Sequence, residues 1–233
     1  MAERMPPRMT MPPHDPDLDD VIAQARAGDV AAFNILVERY QRAAYSVALR
    51  LIGEPEAAAD VTQDAIIAAF KAMRQFRGGA FHVWLLRIVT NHCFDYWRAR
   101  KRRPTVSLDA LTDPAPDGSA PGNDFWLTTD AWDPVALAEQ HELQALLQRG
   151  LLTLQDDQRV ALVLSDVEGL SYDEIAEVTQ ANLGTVKSRI ARGRARLRDF
   201  LTQHRELLPR DYRPTPRPDP PPTSDRAQQS RKK

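Results

Sequence analysis

The stretch Asp166–Phe200, DVEGLSYDEIAEVTQANLGTVKSRIARGRARLRDF, constrains the fold more than any other part of the chain. Ser171, with Glu174 three residues later, is the pattern of a capping box and starts a short helix. Ile175, Ala176 and Val178 supply its buried side, and Ala176 is small enough for two helices to cross closely at a short turn. A second helix starts near Leu183–Thr185. Val186, Ile190 and Leu197 recur on it at helical spacing and face inward. Lys187, Arg189, Arg192, Arg194, Arg196 and Arg198 fill most of the remaining surface, and no acid occurs from Gly184 to Arg198. A helix-turn-helix places such a second helix in the DNA major groove. A solvated helix in a bundle is the competing reading, although solvated faces usually mix both signs of charge.

Bulk charge alone would miss this. The 233 residues carry a formal net charge of −1. The charge is segregated, however. Trp97–Arg103 reads WRARKRR, whereas Pro104–Gln148 contains no Lys or Arg and includes Asp109, Asp113, Asp117, Asp124, Asp130, Asp133, Glu139 and Glu142. Two basic patches flanking an acidic connector suit a protein that touches nucleic acid at two separated places. Cys93 is the single cysteine, which excludes an intramolecular disulfide and a Cys-rich zinc site. His82, His92 and Cys93 could be metal ligands. Cys93 lies in a helical pattern, where a small buried hydrophobe is the usual explanation, so no metal and no cofactor are expected. No apolar run approaches the roughly 18 residues of a membrane span. The first residues have no apolar segment of a signal peptide, so the expected location is cytoplasmic, without membrane insertion.

The expected fold is all-α, with two small helical domains joined by a flexible acidic linker and a helix-turn-helix in the second. Residues 1–17 read as disordered. Four helices over about 18–27, 30–52, 55–75 and 80–102 form a first domain, 18–104, and Gly28, Gly53 and Gly78–Gly79 punctuate them. Asp29 caps the second helix. That helix carries an apolar stripe of Phe33, Leu36, Val37, Tyr40, Ala44, Val47, Ala48 and Leu51. On the third helix the stripe is Ala58, Val61, Ala65, Ile66, Ala69 and Phe70. Strand signals are absent. Residues 105–133 are a Pro-rich linker that can reach roughly 100 Å when extended. Phe125, Trp126 and Trp132 within it fit local packing or a partner contact. A second domain spans 134–204. Residues 205–233 form a Pro-rich basic tail that cannot bury enough apolar surface to fold.

The helix from about Ala80 is read with two faces. Phe81, Leu85, Ile88, His92 and Tyr96 form the buried one. Trp84, Arg87, Asn91, Asp95 and Arg98 share one stripe on the other, able to stack bases and bind base edges or phosphates. Trp84 could equally be core. The preceding loop, FRGGAF, is Gly-rich and flanked by Phe76 and Phe81, with Arg77 beside the glycines, and such a loop can approach an unstacked base. Arg98–Arg103, including Arg100 and Lys101, can hold phosphates. On the third helix Glu54 and Glu56 suit the helix dipole. Asp60, Gln63 and Asp64 lie beyond that effect and read as either a solvated face or a docking surface for a basic partner.

Three segments together, EAAADVTQDAIIAAFKAMRQF, FHVWLLRIVTNHCFDYWRARKRR and LSDVEGLSYDEIAEVTQANLGTVKSRIARGRARLR, resemble the extracytoplasmic-function (ECF) sigma factors of the bacterial sigma-70 family, in order and spacing. The resemblance implies a non-enzymatic subunit that directs RNA polymerase to promoters. It makes residues 18–104 region 2 and 134–204 region 4. It implies that Asp60, Gln63 and Asp64 dock on the polymerase β′ clamp helices, and that the β flap and promoter DNA are further partners. The loop Phe76–Phe81 would capture a flipped base of the −10 element, with Trp84, Arg87, Asn91, Asp95, Arg98, Arg100 and Lys101 along the same DNA. Lys187, Ser188, Ala191 and Arg192 would read the −35 element, with Thr185, Arg189 and Arg194 beside them. The family often, not always, has an anti-sigma partner. Where the family often has Leu-Gly and then Pro in the turn, this chain has Thr179, Gln180 and Asn182, so Gln180 needs a left-handed backbone. Two rival readings are a stand-alone helix-turn-helix regulator and a recombinase. The latter would need a nucleophile such as Tyr40, Tyr45 or Tyr96 among converging arginines.

Overall fold

The computed structural model describes residues 16–102 and 134–208, with side chains described from Asp17 in the first span and from His141 in the second. Among the described residues all regular structure is helical: α1 (Pro16–Ala27), α2 (Val30–Ile52), α3 (Pro55–Ala72), α4 (Phe81–Arg102), α5 (Pro134–Leu152), α6 (Asp156–Asp166), α7 (Tyr172–Thr179) and α8 (Leu183–Gln203). Short 3-10 turns follow α3 at Met73–Gln75 and α8 at Arg205–Leu207. The readings of the N-terminus, the linker with Phe125, Trp126 and Trp132, and the Pro-rich tail fall outside the described residues.

Local chemistry sets the helix boundaries. Asp29 accepts the Ala31 and Ala32 amides at 2.8 and 3.2 Å, satisfying two of the orphan donors that start α2. Gly53 ends α2 in the left-handed region at φ 88°, and its amide returns to the Leu49 carbonyl. Pro55 then opens α3, where a missing N–H costs nothing.

In the first unit α2 runs through the centre and contacts α1, α3 and α4. Phe33, Leu36, Ala44, Val47, Ala48 and Leu51 of its predicted stripe are buried, and Val37 and Tyr40 pack half-buried at the edge. The α3 stripe needs correction: Phe70 is 43% exposed, while Thr62 is buried with its hydroxyl donating to the Ala58 carbonyl at 2.7 Å. The face of α4 also differs from expectation. Leu86, Val89, Thr90 and Cys93 are buried, whereas Ile88, His92 and Tyr96 are only half-buried. The cause is that α4 is covered from more than one direction, by α2 and α3 on one side and by α7 on another.

The second unit is built around α8, which contacts α5, α6 and α7. Gly193 lies where α8 crosses α6, and a Cβ there would sit 3.3 Å from the Gln158 carbonyl oxygen and 3.5 Å from Leu162 Cβ. The unit also extends past the expected end at His204. Leu208, after the terminal 3-10 turn, is 3% exposed.

The two units do not stand apart. α2 contacts α5 and α6, and α4 contacts α7, so one hydrophobic cluster runs through both. Gln148 of α5 donates its amide to the Leu49 and Arg50 carbonyls at 3.1 and 3.4 Å, supplying donors to the end of α2.

Candidate nucleic-acid interface

The helix-turn-helix is held by side chains that the sequence names. Ser171 Oγ accepts the Glu174 amide at 3.3 Å and Glu174 accepts the Ser171 amide at 2.7 Å, a complete capping box. Ile175 and Val178 are buried, and Ala176 is half-buried. The turn passes through Gln180 at φ 51°, ψ 38°, the left-handed conformation expected of that position. Asn182 then caps α8, accepting the Thr185 amide at 2.8 Å.

Val186 and Ile190 are buried under α8, with Gly193 between them and the half-buried Leu197. Lys187, Ala191 and Arg192 lie on the solvent side, and Thr185 and Ser188 are half-buried beside them. Lys187 and Arg192 make no ion pair among the described residues, so their charge is available to a ligand. Arg189 and Arg194 are different. Arg189 donates to Asp157 at 2.9 Å, and Arg194 makes a two-pronged contact with Asp166 at 2.9 and 2.5 Å. The Asp166 hydrogen bonds raise the Arg194 pKa further above its ordinary value. These two arginines tie α8 to α6 and, in this arrangement, face their acids rather than open solvent.

The expected −10 surface divides in the same way. Asn91, Asp95 and Arg98 are exposed on one stripe, and Arg77 is exposed in the loop before α4. Arg87 is half-buried. Phe76 and Phe81 are each 3% exposed, so in this arrangement both rings lie in the core. They pack edge-on to each other at 5.8 Å between centroids and form a floor on which Trp84 rests, 5.2 Å from Phe76 and 5.5 Å from Phe81. Trp84 is thus half core and half surface. Above that floor Gly78 and Gly79 have φ 96° and 91°, and nothing lies within 4 Å of a Cβ at either. Backbone conformation, not crowding, demands glycine there.

Three cations at the end of α4 are engaged by acids. Arg98 pairs with Asp95 at 2.7 Å, and Lys101 with Asp156 at 3.2 Å. Arg100 pairs with Glu54, which also accepts the Tyr96 hydroxyl at 3.0 Å. Glu54 therefore joins α4 to the start of α3, and the Arg100 guanidinium holds its carboxyl below the usual range.

Asp60, Gln63 and Asp64 are all exposed on the outer side of α3, as one acidic and amide surface. Ile67 and Phe70, 42% and 43% exposed, continue that side toward the C-terminus of α3, a feature the apolar-stripe reading missed. Cys93 is fully buried, and burial pushes its thiol up to about 12, the behaviour of a small core residue. Among the described residues no group of three or more His, Cys, Asp or Glu could hold a metal, and no helix is long and apolar enough to cross a membrane.

Two family models match this chain: Sigma-70 region 2 over residues 36–103, and Sigma-70, region 4 over residues 144–197. The chain is 38% identical over 180 residues to the ECF RNA polymerase sigma factor SigE of Mycolicibacterium smegmatis, covering 76% of this chain and 65% of that protein. It is 36% identical over 177 residues to the ECF RNA polymerase sigma-E factor of Escherichia coli, covering 75% of this chain and 88% of that one. Among solved structures it is similar to the sigma factor RpoE of Bartonella quintana in complex with the anti-sigma factor NepR, with TM-score 0.54, 26% identity and coverage of 74% and 98%. It is also similar to CnrH in complex with the cytosolic domain of CnrY, with TM-score 0.53, 28% identity and coverage of 80% and 97%. With both regions matched in order on an all-helical fold, the chain belongs to the ECF RNA polymerase sigma factors of the sigma-70 family.

Proposed function

We infer that this chain is a promoter-specificity subunit of bacterial RNA polymerase, which recognises the −35 element as duplex and opens and holds the −10 element. The observation that carries the reading is the solvent face of α8, where Lys187 and Arg192 stand beside Ser188 and Ala191 with no acidic partner among the described residues. An arginine there can reach a guanine edge with two hydrogen bonds, and a lysine can reach a phosphate or a base. Asp60, Gln63 and Asp64 are the docking surface for the polymerase clamp helices, since an exposed acidic helix side suits a basic partner.

At the −10 element the Gly78–Gly79 loop closes over an extruded base, with Trp84 as its apolar wall and Asn91 and Arg98 for edges and phosphates. Phe76 and Phe81 hold that wall in place. Extrusion costs a few kcal/mol, which a prepared pocket offsets. The subunit does no covalent chemistry of its own and works where the polymerase works, in the cytoplasm. An anti-sigma factor is a further partner, by analogy with the Bartonella quintana sigma factor solved in complex with the anti-sigma factor NepR.

The test is run-off transcription with core polymerase and no other sigma factor. Specific initiation is the expected result. A requirement for a second sigma factor would support a stand-alone regulator instead.

A further inference from the structure

We propose that Arg196 and Arg198, in the C-terminal half of α8, hold the DNA backbone on the two sides of the groove that α8 enters, and so supply a sequence-independent share of binding at the −35 element. The proposal rests on the functional reading above and adds to it the residues that bind phosphate rather than bases.

Six cations lie between Gly184 and Asp199: Lys187, Arg189, Arg192, Arg194, Arg196 and Arg198. Two of them are engaged by acids of α6, Arg189 by Asp157 at 2.9 Å and Arg194 by both oxygens of Asp166. These two contacts fix which way α8 is turned about its own axis. The other four are exposed and make no ion pair among the described residues. Arg192 and Arg196 stand four residues apart, as do Arg194 and Arg198, and like charges at that spacing repel each other. Asp199 follows directly and is exposed, yet among the described residues it pairs with neither Arg196 nor Arg198. A helix that keeps such a face uncompensated suits a polyanion.

Placement on the helix selects the part of the polyanion. Around the axis, Arg198 falls within roughly 20° of Lys187, and Arg196 within roughly 40° of Arg192. The two rows are roughly 150° apart and flank the side that carries Ser188, Ala191 and Ala195. A helix seated in a groove has a sugar-phosphate strand on each side, so each row faces its own strand. Distance along the axis separates the roles within a row. Arg196 lies roughly 6 Å, and Arg198 roughly 9 Å, beyond Arg192, against a half-width of roughly 6 Å for the major groove. With 21 residues α8 is roughly 30 Å long, so it cannot lie wholly within a groove roughly 12 Å across. When its N-terminal residues are at the base edges, its C-terminal half rises past the groove rim, and Arg196 and Arg198 stand where the phosphates are. A guanidinium there can give two parallel hydrogen bonds to phosphate oxygens. Contacts of this kind position the protein without reading a base.

The test uses holoenzyme assembled from bacterial core polymerase and the full chain, binding a fluorescein-labelled promoter duplex over a series of salt concentrations. For Arg196→Ala/Arg198→Ala the slope of log affinity against log salt should fall in magnitude by about 2, one for each phosphate contact. At low salt the affinity should drop roughly 10-fold, by the same factor on every single-base variant of the −35 element. Both residues are exposed, so the melting temperature of the chain should not move. Arg196→Lys/Arg198→Lys keeps both charges and should recover most of the affinity and the slope, because a phosphate also accepts a point charge. On a fragment that ends downstream of the −35 element, wild type and the Ala variant should bind equally. An unchanged slope, a loss that depends on the −35 sequence, or no recovery with lysine would each overturn the assignment. An equal loss on the shortened fragment would also overturn it, by placing the two arginines on the polymerase. Failure of the wild-type chain to initiate with core polymerase would instead overturn the functional reading, and that result is obtained before any variant is compared.

Discussion

The two helices proposed to meet DNA, α8 and α4, differ in how ready they are. On α8 the outward Lys187 and Arg192 have no acidic partner among the described residues, while Arg189 and Arg194 anchor the helix to Asp157 and Asp166. On α4 three of the four cations expected on the −10 side, Arg98, Arg100 and Lys101, are paired with Asp95, Glu54 and Asp156, and the fourth, Arg87, is half-buried. A helix that meets intact duplex can be built in advance. One that acts only after strands separate can have its charges held by the protein until then, since such exposed pairs cost little to break, about 0–1 kcal/mol each.

The largest effect expected is on neither helix but on α3. Asp60→Lys combined with Asp64→Lys should abolish binding to core polymerase, because it reverses the charge of the surface proposed to dock. Both residues are exposed, so the melting temperature should change little. Pull-down of β′ together with a thermal melt checks this. Undiminished capture of β′ would move the docking site elsewhere and leave the α8–α4 contrast without a polymerase to act through.

Next in size is Arg192→Ala, which should weaken −35 binding by about 1–3 kcal/mol if Arg192 makes a bidentate base contact. Loss should concentrate at one base position. An equal loss on every −35 sequence would make Arg192 a phosphate contact. Arg189→Ala sharpens the comparison, since it should act through stability of the α6–α8 contact and shift the melt before it shifts base preference. The measurement is binding to a set of single-base −35 variants beside a thermal melt.

A smaller effect is expected in the loop before α4. Gly78→Ala with Gly79→Ala forces two L-residues to φ above 90°, at about 1–2 kcal/mol each. A Cβ meets nothing within 4 Å at either, so the core under Phe76 and Phe81 should stay intact. Open-complex formation should slow on a duplex promoter and much less on a template with a pre-melted −10 bubble, as read by permanganate footprinting. Equal slowing on both would show that the loop is structural, and the proposed division of labour between α8 and α4 would lose its melting half.

Much of this was legible in the sequence where one residue carries one local function. The Ser171–Glu174 capping box, the left-handed Gln180, the Asp29 cap and the α2 stripe each need only neighbours within a few positions. What escaped depends on elements far apart in the chain. The face of α4 was misread because α7 adds a second covered side, which turns a stripe into a wider buried surface. Thr62 was passed over because its hydroxyl is satisfied within its own helix, so burial costs little. Phe70 was assigned to the core on spacing, yet it lies at the rim and meets Phe33 edge-on at 5.1 Å. Arg159, which no sequence pattern singled out, is buried with its guanidinium over Trp97 of the other unit. The glycine inside the charged helix α8 was itself a signal, since Gly193 has a packing reason to interrupt a strong helix former.

The smallest effect expected is a pH dependence of the seam between the units. Glu168, just beyond α6, faces Arg50 of α2, and burial pushes its carboxyl up to about 7 although Arg50 pulls it down. Burial correspondingly lowers Arg50, which also donates to Ser46 at 2.5 Å. Between the ordinary carboxylate range and about pH 7 the folded chain therefore binds a proton that the unfolded chain releases. The contribution of this group is full below the ordinary carboxylate range and is lost as pH rises through about 7. His82 of α4, facing Glu174 of α7, acts in the opposite sense. Its pKa is lowered by burial, so its contribution is present above the ordinary imidazole value and is lost as pH falls. The wild-type profile mixes both signs, and the diagnostic quantity is the difference between wild type and Glu168→Gln. Between pH 5 and pH 8 the melting temperature of the wild type should fall relative to that variant by roughly 2–4 °C, the shift of about 1 kcal/mol in a chain of this size. Parallel profiles for the two proteins would mean that Glu168 is as solvated in the folded chain as in the unfolded one.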